Sequence, residues 1–261
     1  MPVLATWNVN SIRARLPLVL DWTERARPDV LLLQEIKTEN AGFPELEFKA
    51  IGYNSLVVGQ KSYNGVALLA RAPIQPALTA LPGAQDDAQA RYVEADVAGL
   101  RVIGLYLPNG NPIGTEKFAY KLAWMERLIV RTKTLLGQGI PFLMAGDFNV
   151  IPTDGDVYDA KAFASDALAQ PQTRRLWRSL LNLGLYDAFS LKHPGAQRAW
   201  TFWDYQAGAW PRDLGLRIDF ILLSPGLADR LADCGIDREP RGKEKASDHT
   251  PVWCRLSEAA P

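Results

Sequence analysis

The sequence is poor in cysteine and in histidine, with two of each in 261 residues. A disulfide scaffold is not needed, because a chain this long can bury a core without staples. A zinc site built from Cys and His is disfavoured for want of ligands. Cys234 and Cys254 are therefore expected as reduced, largely buried thiols. Net charge is also lacking: 29 basic residues balance 29 acidic ones. That weighs against a protein that coats nucleic acid over its whole surface, though not against an enzyme with one basic face. No apolar run approaches the ~20 residues of a membrane span. The opening residues MPVLATWNVN have neither the basic start nor the apolar stretch of a signal peptide. A cytoplasmic protein with no membrane partner is expected. Repeats, low-complexity segments and Ser/Gly-rich linkers are missing too, so residues 1–261 read as one domain.

What is present is a core-forming composition, 48% hydrophobic, divided into short apolar runs bounded by Gly, Pro, Asn and Asp. Strands are predicted over Val3–Trp7, Val30–Gln34, Gly65–Ala70, Tyr92–Val97, Val102–Tyr106, Phe142–Ala145, Ile218–Leu223 and Val252–Leu256. Helical spacing joins Ile12, Leu16, Val19 and Thr23, with Pro28 beyond the end. A longer helix carries Phe118, Leu122, Met125, Ile129 and Leu136. Thr173 is read as the cap of a third helix that turns Leu176, Leu180 and Leu183 inward. Many strands and fewer helices predict an α/β (α+β) fold of sheet packed on sheet with helices outside.

The polar residues of interest share one position: each stands where an apolar strand runs out. Asn8 and Asn10 follow the first strand in TWNVN. Gln34 and Glu35 end LLLQE. Asp147 and Asn149 lie in AGDFN. Asp219 interrupts LRIDFILL, and Asp248 and His249 precede the last strand in SDHTP. Alone, each has an ordinary explanation as a turn residue, a cap or a satisfied polar group. Together they place carboxylates, amides and an imidazole on rigid strand ends. Oxygen donors of this kind suit a hard cation such as Mg²⁺. An activated water, a metal and donors for a phosphate are what phosphodiester hydrolysis requires.

These segments carry a resemblance. The chain resembles the exonuclease III type of apurinic/apyrimidinic (AP) endonuclease, within the wider endonuclease/exonuclease/phosphatase superfamily. TWNVNSIRARL, PDVLLLQEIKTE, YNGVALLAR, YLPNGNP, MAGDFNVIPTD, TFWDY, GLRIDFILLS and SDHTPVW fall in the family's order from Leu4 to Leu256. RARL, YLPNG, TFWDY and LRID belong to its DNA-repair branch. The resemblance implies a four-layer α/β/β/α sandwich of two mostly antiparallel sheets flanked by helices. It implies Mg²⁺ held by Glu35 with Asn8, Asn10 and Asp248, directly or through water; Mn²⁺ accepts the same oxygen ligands. Asp147 and Asn149 complete that polar set. By the same resemblance Asp147 activates water, Asn149 steadies that water or the transition state, Tyr106 and His249 contact the phosphate, and Asp219 orients His249. Asn109 lies near the phosphate, and Phe202 and Trp203 wall a pocket for an extruded abasic sugar.

The chain departs from the family at two places. Ile36 stands where Thr is common, and Asn10 where some relatives have Asp. One fewer carboxylate predicts one dominant metal ion. Basic residues flanking the motifs are expected on DNA phosphates: Arg13 and Arg15, Arg174, Arg175 and Arg178, and Arg241, Lys243 and Lys245. The implied partner is duplex DNA with abasic sites or 3′ ends, bound by a monomer. A phosphatase or sphingomyelinase acting on small or lipid phosphoesters shares the metal motifs but leaves TFWDY and the Arg-rich helix without a role. A non-catalytic DNA-damage binder leaves the filled catalytic positions without one.

Overall fold

VLLLQ and FLMAG are apolar on both faces, so strands made from them need cover on both sides. The computed structural model describes residues 1–258; the last three residues of the expected 1–261 domain lie outside them. Twelve strands occur among the described residues. In the first half of the chain they are β1 (Val3–Asn8), β2 (Val30–Gln34), β3 (Asn54–Val58), β4 (Val66–Ala70), β5 (Ile74–Leu78) and β6 (Tyr92–Val97). There follow β7 (Leu100–Tyr106), β8 (Phe142–Asp147), β9 (Tyr186–Asp187), β10 (Asp219–Leu223), β11 (Leu231–Ile236) and β12 (Val252–Leu256). The main helices are α1 (Ile12–Ala26), α2 (Glu45–Ala50), α3 (Glu116–Gly137) and α4 (Pro171–Leu181). No helix of the described residues is long and apolar enough to cross a membrane.

The strands form two six-stranded sheets, ordered β11-β12-β1-β2-β4-β3 and β5-β6-β7-β8-β10-β9. All pairings are antiparallel except β1 with β2 and β7 with β8. Side chains alternate across each strand and fill different layers. Leu4, Val30, Leu32 and Leu68 face Val93, Val102, Leu143 and Ile221 between the sheets. Ala5, Trp7, Leu31 and Leu33 turn outward against Ile12, Val19 and Trp22 of α1 and Phe48 of α2. Ile103, Leu105, Met144 and Phe220 turn outward against Trp124 and Leu128 of α3 and Trp177 of α4. The order of layers is helix, sheet, sheet, helix, as expected. Cys234 and Cys254 are free and buried.

Two details differ from the sequence reading. Four strands were not foreseen: β3, β5, β9 and β11. The third helix begins at Pro171, whose ring sets φ for a first turn, and its cap is Gln170. Thr173 lies inside that turn and its hydroxyl donates back to the Ala167 carbonyl at 2.7 Å. Leu183 falls past the helix end, and Leu185 takes the buried position instead.

Strand directions bring the polar ends to one pole. β1, β2, β7 and β8 end there, at Asn8, Gln34, Tyr106 and Asp147. β10 and β12 run antiparallel to β8 and β1, so they begin there, with Asp219 opposite Asp147. Gly146 lets β8 reach this register. A Cβ on it would stand 1.9 Å from the Leu105 carbonyl oxygen, a clash with backbone that no rotamer relieves. Gly146→Ala is expected to destabilise the fold by about 3 kcal/mol, read as a lower urea midpoint. An unchanged midpoint would show that β7 and β8 can part.

Candidate active site

Backbone geometry aims the side chains at this pole. Glu35 and Asn149, each just past a strand, have φ of +50° and +47°. This left-handed conformation costs a non-glycine residue energy and turns the chain sharply. The turns bring the Glu35 carboxylate and the Asn149 main-chain N–H to Asp147. Asn8 Nδ2 donates to Glu35 Oε1 at 2.8 Å and to Asp147 Oδ2 at 3.0 Å. The Asn149 N–H donates to Asp147 Oδ1 at 2.9 Å. Asn109 Nδ2 donates to Asn149 Oδ1 at 3.2 Å, and Asn149 Nδ2 to the Leu107 carbonyl at 2.9 Å. Asn10 Nδ2 donates to Asp248 Oδ1 at 3.1 Å. Asn8 thus links the carboxylates of Glu35 and Asp147, and Asn10 links Asp248 to Lys37.

His249 closes the cluster. Its Nδ1 is 2.8 Å from Asp219 Oδ2, and its Nε2 lies 3.7 Å from Asp147 Oδ2. All three groups are buried. Burial alone would push the imidazole pKa down, but the charges of Asp219 and Asp147 outweigh it and hold it well above the ordinary value. Asp147 is pushed up, first by burial and then by Asp219 and Glu35, against the pull of His249. Glu35 is also raised by burial, yet Asn8 and Lys37 outweigh that and hold it low. Tyr106 is kept a neutral phenol by burial and by the nearby charges of Glu35 and Asp147.

The donor set fits a divalent cation. Ligand atoms of Glu35, Asp147 and His249 lie within 4.8 Å of one another. A protonated imidazole is no ligand, so the oxygens are the donors. Four carboxylates, Glu35, Asp147, Asp219 and Asp248, face two cationic side chains, His249 and Lys37. Carboxylates thus outnumber cationic side chains here, a balance that suits a divalent cation. Lys37 was not anticipated from the sequence. Its Nζ lies 2.9 Å from Glu35 Oε2 and donates to Asn10 Oδ1. Ile36, between them, is a fully buried plug in the outer core.

Beside the cluster opens a cavity of about 510 Å³. Leu168, Leu216, Ile218, Phe163 and Phe202 give it an apolar wall, with Glu35, Tyr106, Asn109, Asp147, Asn149, Asp248 and His249 on the polar side. Phe202 lines the cavity, its ring 4.9 Å from that of His249. Trp203 does not. It is fully buried behind the wall, donates to Asp213 at 3.1 Å and packs edge-on against Trp210. Gln206, Ala207, Ala209 and Leu214, from the segment after TFWDY, also line the cavity.

The basic residues divide. Arg13, Arg175, Arg178, Lys243 and Lys245 are exposed. Lys243 pairs with Glu239, and Arg174 with Asp154 at 2.9 Å. Arg15 donates to the Asn10 carbonyl at 2.7 Å and to Tyr205 at 2.9 Å. Arg241 is buried instead, donating to the Trp203 carbonyl at 3.0 Å and lying over Tyr205 and Trp210. It braces the loop before Asp248 and has no free face for a phosphate.

Comparison with known proteins bears on this geometry. Residues 5–249 match the Endonuclease/Exonuclease/phosphatase family. The chain is 33% identical to exodeoxyribonuclease III of Haemophilus influenzae, over 96% of this chain and 98% of that one. It is similar to the structure of an AP endonuclease from Archaeoglobus fulgidus, with a TM-score of 0.94 and 38% identity over 98% of this chain and 99% of the other. A 3′ phosphatase from Neisseria, bound to a product DNA hairpin, gives a TM-score of 0.96 and 36% identity over 99% and 100%. The chain belongs to the endonuclease/exonuclease/phosphatase family and, within it, to the exodeoxyribonuclease III type.

Proposed function

We propose that this protein is a Mg²⁺-dependent DNA-repair nuclease that hydrolyses the phosphodiester 5′ to abasic sites in duplex DNA and also acts on 3′ ends. One observation carries the reading: a buried carboxylate–imidazole–amide cluster stands at the mouth of an apolar cavity. Glu35 and Asp248, with Asn8 and Asn10 between them, would hold the ion. The chemistry such an ion supplies is neutralisation of charge on the phosphate and on the leaving 3′ oxygen. Mn²⁺ accepts the same oxygen donors.

The chain's own residues do the rest. Asp147 accepts the proton of the attacking water as that water's oxygen bonds to phosphorus and the bond to the 3′ oxygen breaks. Protonated His249, Asn149, Asn109 and the Tyr106 phenol donate to phosphate oxygens, where charge accumulates. Asp219 keeps His249 charged and correctly turned. An abasic nucleotide has no stacking to lose, so moving it out of the helix costs less than moving an intact one. Phe202, Leu216 and Ile218 would receive the baseless sugar. Arg13, Arg174, Arg175, Lys243 and Lys245 are assigned to the DNA backbone.

The test is a duplex with a single abasic analogue, incubated with the protein and Mg²⁺. Cleavage immediately 5′ to the analogue is expected, with affinity falling roughly tenfold or more between 50 and 200 mM salt. An intact duplex together with hydrolysis of a lipid or inositol phosphate would overturn the reading. So would tight binding without any cut, or affinity indifferent to salt.

A further inference from the structure

The apolar stripe that packs α3 against its sheet contains a lysine. Lys121 stands one turn before Trp124 and Met125, so helical spacing carries it inward with them. Its side chain is fully buried. Asp147 and Asp166 act on it only at longer range, and no carboxylate pairs with it among the described residues. Burying an ammonium without a counter-charge is costly, and an apolar residue of similar size would be the more stable occupant. Packing therefore does not account for a lysine here.

Its contacts do. The amine, whose pKa burial pushes down to about 7, donates to the carbonyl oxygen of Pro108 at 3.0 Å and to that of Asn149 at 2.6 Å. These carbonyls belong to the two loops leaving β7 and β8, the parallel pair at the active pole. The same loops carry Asn109 and Asn149, whose side-chain amides are joined to each other. The first loop rests on the lysine stem. A Cβ on Gly110, where φ is +89°, would stand 2.5 Å from Lys121 Cδ. One buried amine thus ties both loops from below, through their main chain, while lying outside the cavity lining.

We infer that Lys121 is a positioning residue: it clamps the Pro108 and Asn149 carbonyls so that the amides of Asn109 and Asn149 are held in place before a phosphate arrives. The assignment of that phosphate to DNA rests on the proposed nuclease function; the clamp itself does not. Preorganised donors stabilise a transition state because they need not reorganise during the reaction.

Lys121→Met keeps the length and the apolar stem and removes the charge and all donors. Amide hydrogen exchange of the metal-free protein is expected to rise together in residues 107–111 and 148–151. The thermal midpoint is expected to stay level or rise. Single-turnover cleavage at an abasic site is expected to fall about 10²-fold, with DNA affinity nearly unchanged. Lys121→Arg, which keeps charge and donors, should recover much of the rate. If Lys121→Met does not fold, Lys121→Gln takes its place, since its amide falls short of both carbonyls. Unchanged exchange in the two segments, or cleavage at the wild-type rate, would make Lys121 a packing residue. Equal losses of affinity and rate would make it part of DNA binding and overturn the clamp. Should the wild-type protein not cut the duplex at all, the nuclease reading fails and the exchange result alone decides the clamp.

Discussion

Asp147→Asn is expected to lower single-turnover cleavage at an abasic site about 10⁴-fold. Chelating the divalent metal from the wild-type protein should cause a loss of similar size. Asp147 ends a strand paired on both sides, so its carboxylate is held rather than mobile. Oδ1 is occupied by the Asn149 N–H, and Oδ2 faces Asn8 and His249. Burial raises its pKa above the usual carboxylate range, which makes it a stronger base than an exposed aspartate. Asparagine keeps the shape and loses the proton acceptor. The same shift separates lost chemistry from lost structure. A carboxyl whose pKa is raised on folding stabilises the fold below its unfolded value and loses that contribution as pH rises through the folded one. At pH 8 the wild type therefore bears the burden of a buried charge, and Asp147→Asn should melt no lower. A loss of less than about tenfold would remove Asp147 from proton transfer, given the span that general-base catalysis covers.

How much of this was legible in the sequence depends on where each strand lies. The eight foreseen strands are the eight interior ones, and the four unforeseen strands are the four sheet edges. The reason is physical. An interior strand such as VLLLQ is covered on both faces, so it is apolar up to its last residue. An edge strand is half covered. β5, IQPAL, carries Pro76, which only an edge tolerates, and its three central residues are exposed. β3 is at best partly buried along its whole length, and β9 is only two residues long. Such segments look like loops until a neighbouring strand gives them a partner.

In the site, strand ends were legible and backbone turns were not. Polar residues after apolar runs marked Asn8, Glu35, Asp147, Asn149 and Asp219. The positive φ at Glu35 and Lys37 had no glycine to announce it, so the return of Lys37 onto Glu35 was hidden. Trp203 illustrates the opposite error. Phe202 bridges to Leu216 and to His249 in extended conformation, and neighbours in an extended chain face opposite ways. Once Phe202 lines the cavity, Trp203 must leave it. The lysine of α3 was not part of the predicted face of Phe118, Leu122, Met125, Ile129 and Leu136, and its two acceptors are main-chain carbonyls, which no side-chain pattern reveals.

Asp219→Asn is expected to cost about 10³-fold in cleavage while leaving Mg²⁺ affinity nearly intact. Asp219 lies beside the imidazole, 2.8 Å from Nδ1, and makes no contact with Glu35 or Asp248. Burial disfavours charge on His249, so its proton persists because Asp219 and Asp147 face it. Asparagine at 219 removes one of those charges and lowers the imidazole pKa. The alkaline limb of the pH–rate profile should then move to lower pH. Stability should respond with the same sign. A histidine whose pKa is raised on folding stabilises the fold below its unfolded value and loses that contribution as pH rises through the folded one. Wild type and variant should therefore differ most in thermal midpoint near pH 6 and converge at alkaline pH. This pattern distinguishes an orienting carboxylate from a metal ligand. A ligand's loss would raise the Mg²⁺ concentration needed for half-maximal rate and leave the alkaline limb where it was. Were Asp219→Asn to do that, the aspartate would belong to the metal site and His249 would owe its charge to Asp147 alone.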